Sequence, residues 1–352
     1  MAPLKDTDPL PITLLTGFLG SGKTTVLNHL VRTLPRTAIL MNEFGEVALD
    51  HQLLQKMEGP MALLSGGCVC CTISGSLSPT LKNLWMARQK GDIPPFERVV
   101  IETTGIADPA PVLDNLLHDN WVRARFRLDG VITTVDALFG MGQLDQHFEA
   151  VKQVAVADKL LLTKTDLAPA DSVTALRERL ATLNPAADIV TVTHGELDPA
   201  AIQNLGLWNA ETRSLEVVRW LKPQRYQPAS AGKLGGKPRA ALHDARIQAF
   251  SVVLDAPLDR YGLQSALSML ASFRAENLLR FKAIVNLQGE PQPTVLHGVQ
   301  HVLYPEVKLD AWPDDDHRSR FVFIVRDLDP EFVAKLLADF SGAAQSPAAV
   351  SP

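Results

Sequence analysis

No apolar stretch in this chain approaches the roughly 20 residues that a membrane-spanning helix needs, so no membrane is expected as a partner. Nor is there a basic block: 34 Lys and Arg stand against 39 Asp and Glu, a formal net charge of −5, and nucleic acid is not an expected partner. Met1 to Pro11 has neither a basic start nor an apolar core of signal length, which places the expected localisation in the cytoplasm. Internal repeats, low-complexity tracts and histidine-rich inserts are also missing, so storage of many metal ions is not expected.

Cysteine is scarce, and its placement is informative. The three in the chain, Cys68, Cys70 and Cys71, fall within the short run Gly66 to Cys71, GGCVCC. A secreted disulfide framework would need spaced, usually even-numbered cysteines. Clustered thiols in a reducing compartment more often bind metal or carry redox chemistry. Thiolate is a soft donor suited to Zn²⁺, Co²⁺ or copper(I), and three thiolates leave one tetrahedral position for a carboxylate, a histidine or a client's ligand. The competing reading is a tight turn whose cysteines are small buried hydrophobes.

What the chain has in quantity is core-forming material: 46% of its 352 residues are apolar, enough for two domains. The strongest motif is Gly17 to Thr24, GFLGSGKT, a complete G-x-x-x-x-G-K-[ST] phosphate loop. Its backbone N–H groups must converge on a phosphate, which a side chain on the loop would obstruct. Gly17, Gly20, Ser21, Gly22, Lys23, Thr24 and Thr25 are therefore the phosphate-binding candidates. Lys23 supplies a point charge, and the Thr24 hydroxyl is placed for Mg²⁺. The flanks agree: Ile12–Thr16 reads as a buried strand, and Val26, Leu27, Leu30, Val31 and Leu34 recur at helical spacing.

Further strands are expected at Thr37–Met41, Arg98–Ile101, Gly130–Val135, Lys159–Thr163 and Asp188–Val192, mostly separated by helical patterns. Such alternation implies an α/β fold, a mainly parallel P-loop NTPase sheet with helices on both faces and sites at the carboxyl ends of the strands. The cysteine motif is expected at or between those ends. Pro, Gly and Ser interrupt the pattern over residues 221–244, which reads as a linker after a first domain at 1–220. A smaller α+β domain is expected at 245–341, with strands at Arg246–Leu254, Leu278–Leu287, Thr294–Leu303 and Arg320–Val325, and helices at Leu263–Phe273 and Pro330–Phe340. Residues 342–352 read as a flexible tail.

Two more motifs narrow the nucleotide. The strand ending in Ile101-Glu102 is followed by Gly105; a carboxylate there can reach the Mg²⁺ shell, and the Gly105 N–H can sense a γ-phosphate. A later strand ends in Thr163, Lys164, Thr165 and Asp166, a T-K-x-D pattern. The Asp166 carboxylate can accept from N1–H and N2–H₂ of guanine, a pair that adenine does not offer, while the Lys164 stem covers the base. GTP and GDP are the expected ligands. The guanine signature argues against a small-molecule kinase.

In this order the motifs resemble the CobW/YjiA family of metal-handling P-loop GTPases, most closely its YjiA branch. The matching segments are residues 16–25, TGFLGSGKTT; 42–46, NEFGE; 67–71, GCVCC; 101–109, IETTGIADP; 128–131, LDGV; and 161–166, LLTKTD. Residues 278–282, 298–300 and 321–324 extend the match into the second domain. The resemblance implies a GTP hydrolase of low turnover that responds to a transition metal and delivers it to an unidentified client metalloprotein. It also implies that the second domain helps to choose the client. By the same resemblance Glu43, Glu46 and Asp50 fall in switch I: Glu43 is the catalytic candidate beside Lys23, Thr24 and Glu102, and Glu46 joins the three cysteines as a metal-ligand candidate. Thr24 and Glu102 are the Mg²⁺ candidates.

Departures count too. Many members carry a carboxylate immediately before the NEFG segment, where this chain has Met41, whose thioether does not replace a carboxylate for zinc. The usual N-K-x-D reads T-K-x-D, with the Thr163 hydroxyl left to brace the loop. Asp108 either ends switch II or caps the next helix. His118 and His194 are candidates for an accessory metal site, His194 near the base loop, while His297 and His301, on one face if their run is a strand, read as structural. A nucleotide-gated adaptor with a structural zinc and negligible catalysis remains the alternative, and the sequence is compatible with a homo-oligomer without requiring one.

Overall fold

The computed structural model describes residues 8–34, 36–41, 54–56, 61–64, 68–72, 77–203, 205, 217–218, 220, 246–342 and 349–351; for 54–56, 61–64, 68–72 and 349–351 it gives the backbone alone. In chain order the first sheet and its helices are β1 (Leu10–Gly17), α1 (Lys23–Thr33), β2 (Thr37–Met41), β3 (Leu54–Lys56), β4 (Met61–Leu64), β5 (Cys68–Thr72), α2 (Leu77–Lys90), β6 (Arg98–Glu102), α3 (Ala110–His118), α4 (Asn120–Arg123), β7 (Phe126–Asp136), α5 (Gly140–Gln146), α6 (Phe148–Val156), β8 (Lys159–Thr163), α7 (Ala170–Leu183) and β9 (Asp188–Val192).

The strands lie in the order β3-β4-β5-β2-β6-β1-β7-β8-β9. From β5 to β8 the six are parallel, and β4 runs antiparallel to β3 and β5. All eight residues of β1 are buried, as an apolar strand between β6 and β7 requires. Its carboxyl end, in the middle of the sheet, is where the glycine loop begins. Helix α1 follows the expected spacing: Val26, Leu27, Leu30, Val31 and Leu34 pack with Leu15, Ile39, Val100, Ile132 and Leu161. At about 1.5–3 kcal/mol for each large apolar side chain removed from water, this face fixes the helix on the sheet.

Here the cysteine motif differs from expectation. Residues 68–72 do not form a turn between strand ends; they are the strand β5, laddered on one side to β2 and on the other to β4. Cys70 pairs with Ile39 and Cys71 with Leu40. Two neighbouring ladders satisfy the backbone of a segment whose glycine-rich start had suggested a turn.

The second sheet contains β10 (Ile247–Leu254), β11 (Leu278–Val285), β12 (Thr294–Val299), β13 (Val302–Leu303), β14 (Val307–Lys308), β15 (Ser319–Arg326) and β16 (Ala349–Ser351), with helices α8 (Arg260–Phe273) and α9 (Pro330–Phe340). Its strands are antiparallel, in the order β13-β12-β11-β15-β10-β16, and β14 also pairs with β12. Its core gathers Leu263, Leu267 and Leu270 of α8 and Val333 and Leu337 of α9 against Phe250, Phe281, Phe321 and Phe323.

Two expectations change. The single strand at Thr294–Leu303 is a hairpin, β12 to β13, turning at Gln300, whose φ is +52°, and His301. His301 therefore sits in a turn and does not share a strand face with His297. Ala349–Ser351, expected in a flexible tail, pairs with Ser251 to Val253, because β10 otherwise leaves an open edge. The chain divides into two compact units, one comprising Met1–Gln143, Ala157–Leu176 and Ile189–Gly206, the other Leu144–Val156, Arg177–Asp188 and Leu207–Pro352. Within the second unit Ala155 packs with Leu279 and Ile324, Arg280 donates to the Val156 carbonyl, and Asn184 donates to the Val154 carbonyl at 2.8 Å. The linker expected at 221–244 lies outside the described residues. Among the described residues no helix is long and apolar enough to cross a membrane.

Candidate active site

The loop between β1 and α1 is built on backbone that glycine favours. Gly17, Gly20 and Gly22 have φ of +143°, +71° and +92°. At Gly17 a β-carbon would also stand 2.2 Å from Thr134 Oγ1 and 2.5 Å from the Thr134 carbonyl, so β7 closes against the loop only because no side chain is there. Ser21 is buried, its hydroxyl 2.7 Å from Thr134 Oγ1. Lys23 is 7% exposed and its ammonium donates to the carbonyls of Gly17 at 2.9 Å and Phe18 at 3.3 Å. The cation is thus held inside the loop.

Next to it, Thr24 Oγ1 lies 3.5 Å from Glu102 Oε1 at the end of β6. Glu102 is buried. The two are hard oxygen donors of the kind Mg²⁺ takes. The chain after β6 is fixed to the loop as well. Thr103 donates from its backbone to the Leu15 carbonyl at 3.0 Å and from its hydroxyl to Thr16 Oγ1 at 2.8 Å. Gly105 then lies against Leu19. Asp108 accepts from the Ala110 N–H at 3.0 Å, just ahead of α3, whose N-cap position is Pro109.

The T-K-x-D segment meets the same loop from the other side. The Thr163 hydroxyl donates to the Ser21 carbonyl at 2.8 Å and approaches the Val135 carbonyl at 3.2 Å, the bracing role left to it by the missing Asn. Lys164, at φ +55°, extends its ammonium to the Gly20 carbonyl and to Asp136 Oδ2, each at 2.7 Å. Asp136 is 1% exposed, and its other oxygen accepts from the N–H groups of Leu138 at 2.8 Å and Phe139 at 3.1 Å. A buried carboxylate so satisfied is a stable anchor. Asp166 Oδ2 lies 3.9 Å from His194 Nε2.

Sequence reasoning missed Thr134 and Asp136, although both belong to the run T-T-V-D at the carboxyl end of β7, where a P-loop sheet gathers its polar groups. The remaining candidates separate. His118 pairs with Asp114 at 2.8 Å on the surface of α3. Met41 is 7% exposed in the apolar cluster with Leu15 and Val100. Glu43, Glu46 and Asp50 lie outside the described residues, and Cys68, Cys70 and Cys71 are placed by backbone alone. Among the described residues no group of three His, Cys, Asp or Glu side chains could hold a metal ion. One backbone row links the phosphate side to the cysteine strand: Met41 pairs with Glu102 across β2 and β6 and with Thr72 across β2 and β5. Cys71 therefore sits one residue from the row that contains Glu102, two strand spacings or about 10 Å away.

Residues 11–191 match the CobW/HypB/UreG nucleotide-binding domain, and residues 247–341 match the C-terminal domain of the cobalamin synthesis protein cobW. The chain is 36% identical over 337 residues to the zinc chaperone YjiA of Escherichia coli, which covers 95% of this chain and 99% of that protein. It is 28% identical over 370 residues to the zinc chaperone CobW of Pseudomonas aeruginosa, covering 95% and 92%. Among solved structures, the Zn(II)-bound YjiA GTPase from E. coli aligns over 95% of this chain and 99% of its own, with a TM-score of 0.73 at 34% identity. With both regions matched in order and a full-length relative at this identity, the chain belongs to the CobW/HypB/UreG family and carries the cobW C-terminal domain.

Proposed function

We propose that this protein is a GTP hydrolase that couples its nucleotide state to binding a transition metal, zinc foremost, and delivering it to a client metalloprotein. The observation that carries the reading is the phosphate loop itself: three glycines at positive φ with the Lys23 ammonium held within. Its amides and Lys23 offset charge on the transferring phosphoryl group. Thr24 and Glu102 would hold Mg²⁺, which would offset charge on the nucleotide's phosphates. Glu43 is assigned to the attacking water, the Gly105 N–H to the γ-phosphate, Thr25 to the phosphate end, and Thr163, Lys164 and Asp166 to the guanine end.

Zinc is cargo in this scheme. Cys68, Cys70 and Cys71 take it as thiolates, with Glu46 as a fourth ligand; Co²⁺ is the competing metal. The names of two full-length relatives, both zinc chaperones, support the choice of zinc. A cytoplasmic location suits thiols that must stay reduced to take metal. Coupling has a structural basis in the Glu102, Met41, Thr72 row, since loss of the γ-phosphate acts at one end and the thiol strand lies at the other. Steady-state GTPase kinetics with and without zinc, read alongside zinc release after a single turnover, tests the scheme. Turnover indifferent to zinc, with zinc retained, contradicts it.

A further inference from the structure

Guanine presents three adjacent groups on its Watson–Crick edge: the O6 acceptor and the N1–H and N2–H₂ donors. On the reading of Asp166 as the base carboxylate, its two oxygens serve the two donors, and O6 needs a donor beside them. Thr163 does not supply it, because its single hydroxyl proton is directed at the Ser21 and Val135 carbonyls. The Lys164 ammonium already spends two of its three protons on Gly20 and Asp136.

His194 is placed to do so. Its Nε2 stands 3.9 Å from Asp166 Oδ2, too far for a hydrogen bond between them, so that a ring nitrogen able to donate lies alongside the carboxylate. The imidazole is 78% exposed and open to a ligand. The backbone beneath it is fixed. Residue 194 has φ +52° in a tight turn closed by the Glu196 N–H on the Thr193 carbonyl at 2.9 Å. Gly195 presses on the first turn of α1, where a β-carbon would lie 2.7 Å from the Thr25 carbonyl. His29 Nε2 lies 3.0 Å from the Leu197 carbonyl and 3.2 Å from the Leu197 nitrogen, so it bonds one or the other according to its tautomer. Tied through Gly195 and Leu197 to the helix that follows the phosphate loop, the turn fixes the backbone from which the imidazole extends.

We infer that His194 is a specificity-determining residue of the base site, donating from Nε2 to O6 of guanine beside Asp166. This replaces the accessory-metal reading of His194. Calorimetric titration with GDP and with 6-thio-GDP, which keeps both donors but offers a poor acceptor at position 6, tests it. His194→Gly keeps the positive φ without strain, and His194→Gln restores a side-chain donor. The wild type should prefer GDP; His194→Gly should lose about threefold to tenfold in GDP affinity, the size of one hydrogen bond, with less than a twofold change for 6-thio-GDP. His194→Gln should recover part of the preference. A GDP to 6-thio-GDP ratio unchanged in His194→Gly overturns the assignment. Asp166→Asn, titrated with xanthosine diphosphate in parallel, distinguishes this from failure of the base site: no gain for xanthosine there overturns the underlying reading.

Discussion

Gly105 lies so close to Leu19 that a β-carbon on it would stand 2.8 Å from both the backbone nitrogen and the Cα of Leu19. The segment after β6 and the phosphate loop therefore touch through backbone, and movement in one is felt in the other. In Gly105→Ala one of them must shift. The expected result is a fall in kcat of at least about tenfold, or about 1.4 kcal/mol, with an unchanged far-ultraviolet circular dichroism spectrum. The Leu19 side chain obstructs too, its Cδ2 at 2.6 Å, but the main-chain atoms would remain in Leu19→Ala, so adding that substitution should not restore the rate. Recovery in the double variant would show that only the Leu19 side chain matters.

Thr163 offers a second test. Thr163→Val leaves the Ser21 and Val135 carbonyls without their hydroxyl donor, at a cost of about 1–3 kcal/mol. Urea unfolding should register the loss, GDP should bind more weakly, and Thr163→Ser should restore both. Equal stability of the Val and Ser variants would deny the hydroxyl its bracing role.

Chemistry at the loop is tested by Lys23→Ala and Thr24→Ala. Each should reduce GTP turnover by about a thousandfold or more, while thermal unfolding remains cooperative, since the apolar face of α1 is untouched. Wild-type turnover in either folded variant would remove the loop from the active site.

The second unit supplies a control. A β-carbon on Gly298 would lie 2.1 Å from the ring of Phe281, which packs beside Phe323 at a centroid distance of 5.9 Å. Gly298→Ala should destabilise by about 1–3 kcal/mol through overpacking, seen as a lower denaturation midpoint, and leave GTP hydrolysis by the folded fraction unchanged.

What was legible in the sequence was what local pattern encodes. The spacing of Val26, Leu27, Leu30, Val31 and Leu34 named the buried face of α1, and the glycines at 17, 20 and 22 named the loop. Illegible were features decided by partners distant in sequence. GGCVCC looks like a turn until β2 and β4 supply ladders on either side of β5. Asp136 looks like the end of any strand until Lys164 reaches it. The pattern of α6 shows that Ala155 is buried but not that it meets Leu279 and Ile324, more than a hundred residues away.

The thiol strand carries the central claim. Zinc binding through thiolates releases protons, so zinc affinity should weaken as pH falls, and Cys70→Ser with Cys71→Ser should lower it by orders of magnitude while Mg²⁺·GDP binding stays near normal. Linkage then requires that any nucleotide state that tightens zinc be itself tightened by zinc, by the same factor. The most direct measurement is a pair of titrations on one apo preparation, a non-hydrolysable GTP analogue and GDP, each with and without one equivalent of zinc. The account predicts that zinc shifts the two nucleotides' affinities by different factors, and that the difference vanishes in the double Cys→Ser variant. Identical affinities with and without zinc for both nucleotides would show the two sites to be uncoupled and would contradict it.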